Sequence, residues 1–186
     1  MDFLRPFFSP GQVPPCLRQL FVVFYKKNGV FIMVKIMFVC HGNICRSPMA
    51  EFIMKDIVRK AGMEKSFLIA SSATSTEEIW GDVGNPVYPP ARRELMAHGI
   101  SCEGKTAVQI KKSDYSKWDM IICMDTKNLR NLHRIFGGDP EGKISKLMNY
   151  AGSDADVSDP WYTGDFKGVY EDILKGCESL LVTLSR

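Results

Sequence analysis

The sequence predicts an α/β protein of three layers, a four-stranded parallel sheet with helices on both faces. Three observations predict it. Short, β-rich apolar runs recur along the chain. Segments with apolar residues three and four apart lie between them. The 186 residues suffice for one domain with an appendage. Strands alternating with helices indicate parallel pairing through right-handed crossovers, and such sheets bind ligands at the carboxyl ends of their strands.

Residues 1–32 stand apart. They carry four of the ten prolines, and their Arg5, Arg18, Lys26 and Lys27 against Asp2 account for the whole formal charge of +3. Residues 33–186 hold 20 basic and 20 acidic side chains, so no basic stripe points to nucleic acid. The apolar run Leu20 to Tyr25 is too short to span a membrane, and neither a signal core nor a cleavage site is evident. The segment reads as an extension: a tail, a hairpin around Lys27-Asn28-Gly29, or an upstream start before Met33.

From there the elements follow in order. Lys35 to Val39 is an apolar run of the kind buried on both faces of a sheet. Ser47 to Gly62 reads as a helix, with Pro48 in its first turn and Phe52, Ile53, Ile57 and Val58 as its stripe. Phe67 to Ser71 is a second strand, and residues 75–90 form a long polar loop. Ala91 to His98 is a short helix stopped by Gly99. Asp119 to Met124 is a third strand, Thr126 to Phe136 a helix closed by Gly137-Gly138, and Ile144 to Tyr150 contains a fourth strand. Asp165 to Leu184 is the last helix, with Phe166, Val169, Tyr170, Ile173, Leu174, Cys177 and Leu181 on its apolar side.

The segment between the first strand and first helix carries the chemistry: Cys40-His41-Gly42-Asn43-Ile44-Cys45-Arg46-Ser47-Pro48. A turn of this length can wrap backbone N–H groups around an oxyanion at a helix N-terminus, where negative charge is favoured. Gly42 permits close approach of the backbone. Arg46 can grip two oxygens at once. Cys40 stands in that positive field, which favours its thiolate. A cradled tetrahedral anion beside a thiolate means phosphoryl transfer to sulfur. Ser47 either caps the helix or donates to the thiolate. The six cysteines contain no C-x₂-C pair, so no zinc site is expected; free thiols in a reducing compartment, the cytoplasm, are.

Val39 to Pro48 resembles the phosphate loop of the low-molecular-weight protein tyrosine phosphatases. The resemblance continues through Ser71 to Ser75, Gly84-Asn85-Pro86, His98-Gly99-Ile100 and Cys123-Met124-Asp125 to Leu129, and closes with Asp159-Pro160-Trp161-Tyr162-Thr163-Gly164-Asp165-Phe166, a form like that of the bacterial members. It covers residues 33–186. It implies Cys40 as nucleophile, Arg46 as phosphate ligand and Asp159 as general acid and base, with no cofactor or metal. It implies substrate binding by His41, Gly42, Asn43, Ile44, Cys45 and Ser47 in the loop, and by Trp80, Trp161 and Tyr162 as walls of a slot for a phenyl ring. It places Asn43, Ser71 and His98 in one supporting hydrogen-bond network, and Cys45 within reach of a reversible bond to Cys40. The implied partners are phosphotyrosine proteins, a tyrosine kinase being one candidate, met by a monomer without nucleic acid or membrane span.

Read without that resemblance, Asp159-Pro160 is a turn signal, and Asp154 and Asp156 are solvated acids. Two departures stand out: His41 replaces an apolar or small residue, and Glu77 to Asp82 lengthens the loop at the pocket mouth. The rival readings are a protein-arginine phosphatase, for which Ile44 would be expected as threonine, and an arsenate reductase, for which Cys102 and Cys123 are too far apart in sequence. A phosphocarrier needs no leaving-group acid, so Arg46 and Asp159 together argue against it, and the remaining rival is a silent binding module anchored by the extension.

Overall fold

The computed structural model describes residues 33–185; the readings made of residues 1–32 lie outside them. Its sheet comprises β1 (Val34–Cys40), β2 (Phe67–Ala73), β5 (Met120–Cys123) and β6 (Ile144–Lys146), all parallel, in the order β2-β1-β5-β6. β1 therefore runs through the middle, with Val39 beside both Ser72 and Cys123. Its residues from Ile36 to Cys40 are buried, as expected of a strand covered on both faces.

Two apolar layers sandwich the sheet. On one side Ile36, Phe38, Met120 and Ile122 pack with α1 (Arg46–Lys60) and α6 (Phe166–Leu184), through Met49, Ile53, Ile173 and Cys177. On the other, Met37, Val39, Ile121 and Cys123 pack against Leu132 and Phe136 of α3 (Thr126–Phe136). Period two in the strands thus feeds two separate cores. The expected class and layers are both present.

Most boundaries shift by a residue or two. α1 starts at Arg46 rather than Ser47, and the helix expected over Ala91 to His98 is α2 (Pro89–Ala97). The fourth strand is cut short because the chain turns directly into α4 (Leu147–Tyr150). The stretch read as polar loop contains a hairpin, β3 (Ile79–Trp80) and β4 (Val83–Gly84), turned by Gly81 at φ 61° and Asp82. Asp159-Pro160 opens a short helix, α5 (Pro160–Thr163), with Asp159 as its N-cap and proline in its first turn.

Candidate active site

Parallel strands deliver their carboxyl ends to one edge of the sheet, and three functional segments meet there. Cys40 ends β1, Asp125 follows β5, and Asp159 lies on the loop leading to α5. Between Cys40 and α1, residues 41–45 form a tight loop whose one unusual dihedral is Asn43 at φ 57°, the sole non-glycine residue with positive φ among those described. Asparagine tolerates that region better than most residues. Its buried side chain secures the bend: Nδ2 donates to Ser47 Oγ at 2.8 Å and to Ser71 Oγ at 2.8 Å, and Oδ1 accepts from the Val108 amide at 3.1 Å.

The loop closes on the cysteine. The Asn43 amide points at Cys40 Sγ from 3.3 Å, and Ser47 Oγ lies 3.0 Å from the same sulfur. α1 has no side-chain cap, so Ser47 serves the sulfur rather than the helix end. Cys45 occupies the N-cap position; burial, reinforced by the charges of Cys40 and Asp159, pushes its thiol up to about 12. It is a neutral thiol at physiological pH.

Arg46 is only 3% exposed. Nη1 donates to Asp125 Oδ2 at 2.6 Å and to the Val157 carbonyl at 3.0 Å, while Nη2 donates to Asp159 Oδ2 at 2.6 Å. Burial alone would lower the pKa of this guanidinium, but the charges of Cys40, Asp159 and Asp125 hold it above its ordinary value. The other oxygen of each carboxylate caps a helix: Asp125 Oδ1 accepts from the Asn128 amide, and Asp159 Oδ1 from the Trp161 amide. The loop bearing Asp159 is tied down just before it. Val157 donates to the Met124 carbonyl, and Asp156 accepts from Thr126 and Lys146, so this exposed acid anchors the loop as well as facing solvent.

A cavity of about 310 Å³ opens over Cys40, lined by His41, Gly42, Ile44, Cys45, Arg46 and Asp159, with Trp161 and Tyr162 on its wall. The ring of Trp161 rests against Tyr88, centroids 5.1 Å apart. Glu77, Glu78 and Lys127, which the sequence reading did not assign, complete the lining. His41 Nε2 lies 2.8 Å from Glu77, and Glu78 packs beneath Gly42, where an added Cβ would sit 3.0 Å from its Cγ.

Three expectations are corrected. Asn43 and Ser47 do not line the cavity; both are fully buried behind the loop and hold it from the rear. Trp80 does not wall the pocket either: Ile79 packs toward the core, so strand alternation turns Trp80 outward, 74% exposed. His98 is outside the supporting network. It stacks on Tyr170 at 3.8 Å and faces Glu94. Its expected place beside Ser71 belongs to Glu51, which accepts from Ser71 Oγ at 2.6 Å, and to Lys105, which donates to the Ser71 carbonyl at 3.0 Å. Burial depresses the Lys105 amine, and Glu51 opposes that shift. Asp125 was part of the matched sequence, but nothing local identified it as the second anchor of Arg46; its place just beyond a strand's carboxyl end was the available signal.

Fold and loop together define an α/β phosphate-loop protein with a cysteine at the floor of its anion cradle. The family model for low molecular weight phosphotyrosine protein phosphatase matches residues 35–186, and the chain belongs to that family. It is 39% identical over 156 residues to the low molecular weight protein-tyrosine-phosphatase YfkJ of Bacillus subtilis, covering 83% of this chain and 97% of that one. To the low molecular weight phosphotyrosine protein phosphatase of Gallus gallus it is 38% identical, covering 78% and 92%. The crystal structure of YfkJ superimposes with a TM-score of 0.76 at 38% identity over 82% of this chain and 95% of that one. The low molecular weight protein tyrosine phosphatase SP-PTP of Streptococcus pyogenes does so at 0.70 and 39%, over 80% and 91%.

Proposed function

We propose that residues 33–186 hydrolyse the phosphate ester of phosphotyrosine in proteins through a phosphocysteine intermediate. The observation that carries this reading is the buried Arg46, its guanidinium held by two carboxylates inside the same cavity as the Cys40 sulfur. Cys40 Sγ attacks phosphorus, the S–P bond forms, and the bond to the phenolate oxygen breaks. Asp159 supplies the proton to that oxygen. In the second step Asp159 takes a proton from water as the water oxygen attacks phosphorus, the S–P bond breaks, and orthophosphate leaves. Arg46 and the loop amides hold the equatorial oxygens through both steps, and Ser47, 3.0 Å from the sulfur, stabilises the departing thiolate.

The apolar Ile44 and the rings of Trp161 and Tyr162 in the lining favour an aromatic leaving group over a guanidinium. Tyrosine-phosphorylated proteins, a tyrosine kinase among the candidates, are the proposed substrates. The five cysteines described are free thiols, which fits a cytoplasmic location.

A kinetic pair tests the roles. Cys40→Ser should abolish hydrolysis of p-nitrophenyl phosphate, and Asp159→Ala should slow it by roughly 10²–10⁴-fold, a general acid's usual contribution. Full activity in the first variant would remove Cys40 as nucleophile, and an unchanged rate in the second would move the acid elsewhere. A panel of phosphotyrosine, phosphoarginine and phosphoserine peptides separates the substrate classes.

A further inference from the structure

One helix carries charge of a single sign on its outer face. Residues 126–138, which include all of α3, contain no Asp or Glu, and Lys127, Arg130 and Arg134 are exposed. At about 3.6 residues per turn, these three side chains fall within about 60° of the helix circumference. The helix buries Asn128, Leu132 and Phe136 on its other side, so the basic stripe faces solvent. None of the three cations has an ion-pair partner among the described residues; Arg134 Nη1 donates to the neutral Asn131 Oδ1 at 3.3 Å. The acids that bond to the start of the helix are engaged by other cations: Asp125 holds Arg46, and Asp156 holds Lys146 at 2.9 Å.

The stripe starts at the site. α3 begins just beyond the carboxyl end of β5, and Lys127 lines the cavity over Cys40. A helix rises about 1.5 Å per residue, so Arg134 lies roughly 10 Å further along the axis. An extended chain covers that distance in about three residues, at roughly 3.3 Å each. A polypeptide that leaves the cavity past Lys127 can therefore lay successive side chains over Arg130 and Arg134. A large polyanion fits less well. Residues 33–186 balance 20 basic against 20 acidic side chains, and Glu77 and Glu78 line the same cavity, so no broad positive field holds a nucleic acid or an anionic lipid surface.

We infer that the Lys127–Arg130–Arg134 face of α3 is a docking surface for the substrate polypeptide, and that it selects Asp or Glu side chains within about five positions of the phosphotyrosine on one side of it. The inference rests on the phosphatase reading above. Carboxylates of the substrate supply the acidic partners that these cations lack within the chain. A guanidinium grips a carboxylate through paired N–H donors, so Arg130 and Arg134 contribute direction as well as charge. Exposed pairs are individually weak, so the three together favour an acidic peptide about tenfold, and salt diminishes the preference.

The test uses the full chain and three phosphotyrosine peptides of equal length: one with Glu residues before the phosphotyrosine, one with Glu residues after it, and one with Ser in both places. Each peptide's kcat/KM is divided by that of the same variant for p-nitrophenyl phosphate, which has no flanking residues. One of the two Glu peptides should be favoured over the Ser peptide about tenfold at low salt, and less at about 0.5 M. The ratio should approach one in Arg130→Gln/Arg134→Gln and invert in Arg130→Glu/Arg134→Glu. Lys65→Gln/Lys175→Gln removes the same charge from exposed positions off α3 and should leave the ratio in place. No preference in the natural chain, an undiminished ratio in both α3 variants, or an equal fall in the Lys65/Lys175 variant would overturn the inference. Retention of a DNA duplex by the natural chain, lost in the α3 variants while peptide selectivity is unchanged, would assign the face to nucleic acid and overturn it equally. Failure of the natural chain to hydrolyse p-nitrophenyl phosphate would instead strike the phosphatase reading beneath it.

Discussion

Two carboxylates grip one guanidinium at the centre of this site, and each also caps a helix, so single atoms have separable duties. Asp125 Oδ2 holds Arg46 while Oδ1 accepts the Asn128 amide. Asp125→Asn keeps an oxygen for the cap but removes the charge facing Arg46. Hydrogen bonds between charged groups contribute about 1.5–3 kcal/mol, so kcat/KM for an aryl phosphate should fall roughly ten- to a hundredfold. Asp125→Ala loses the cap too and should cost about 1 kcal/mol more in stability. Kinetics and thermal melts of the two variants separate the duties; equal melting points would show that Oδ1 contributes nothing as a cap.

Elements whose information is local were legible in the sequence. The helix expected over Thr126 to Phe136 has those bounds in the structure: Gly137-Gly138 signals its end in the sequence, and the structure adds Asp125 as its N-cap. The loop from Cys40 to Ser47 was legible because its chemistry is contiguous in sequence. What escaped depends on distant partners. The hairpin has two-residue strands, too short to display a period. His98 and Lys105 are near each other in sequence, and only the fold brings Lys105 rather than His98 to Ser71. The family resemblance puts Trp80 in the wall, whereas the β3–β4 pairing turns it outward. That pairing makes a prediction of its own. Gly84→Ala places a methyl group against the Ala107 backbone, and neither side can yield as a flexible side chain would. Overpacking of this kind costs roughly 1–3 kcal/mol. The melting temperature should fall, and an unchanged melt would mean that β4 shifts freely.

Across the whole molecule, the buried thiols link stability to alkaline pH. Burial raises Cys45 and Cys123 from 9.0 to about 12, and raises Cys177, fully buried in α6, as well. As pH rises past 9 the unfolded chain releases these protons while the fold retains them. Their stabilisation is therefore complete below pH 9 and is lost as pH rises above it, by about 12 for Cys45 and Cys123, at up to about 1.4 kcal/mol per pH unit for each thiol. The guanidinium chloride midpoint should decline between about pH 9 and 10.5, and Cys177→Ala, although less stable overall, should show a shallower decline. A slope unchanged by that substitution would remove Cys177 from the linkage. The formally neutral balance of residues 33–186 leaves anion recognition to local geometry rather than to a long-range field.

The Arg46–Asp159 pair has one more consequence, for affinity. The Asp159 carboxylate already accepts from Nη2 at 2.6 Å, so an oxyanion that takes the same N–H must displace it. Measured binding is thus net of an exchange, and the same carboxylate is positioned to return and help expel the product. On the mechanism proposed, a chain lacking Asp159 should hold phosphate more tightly while turning over more slowly, so that the group proposed as acid would also limit retention of the product; phosphate inhibition constants of the two chains check this.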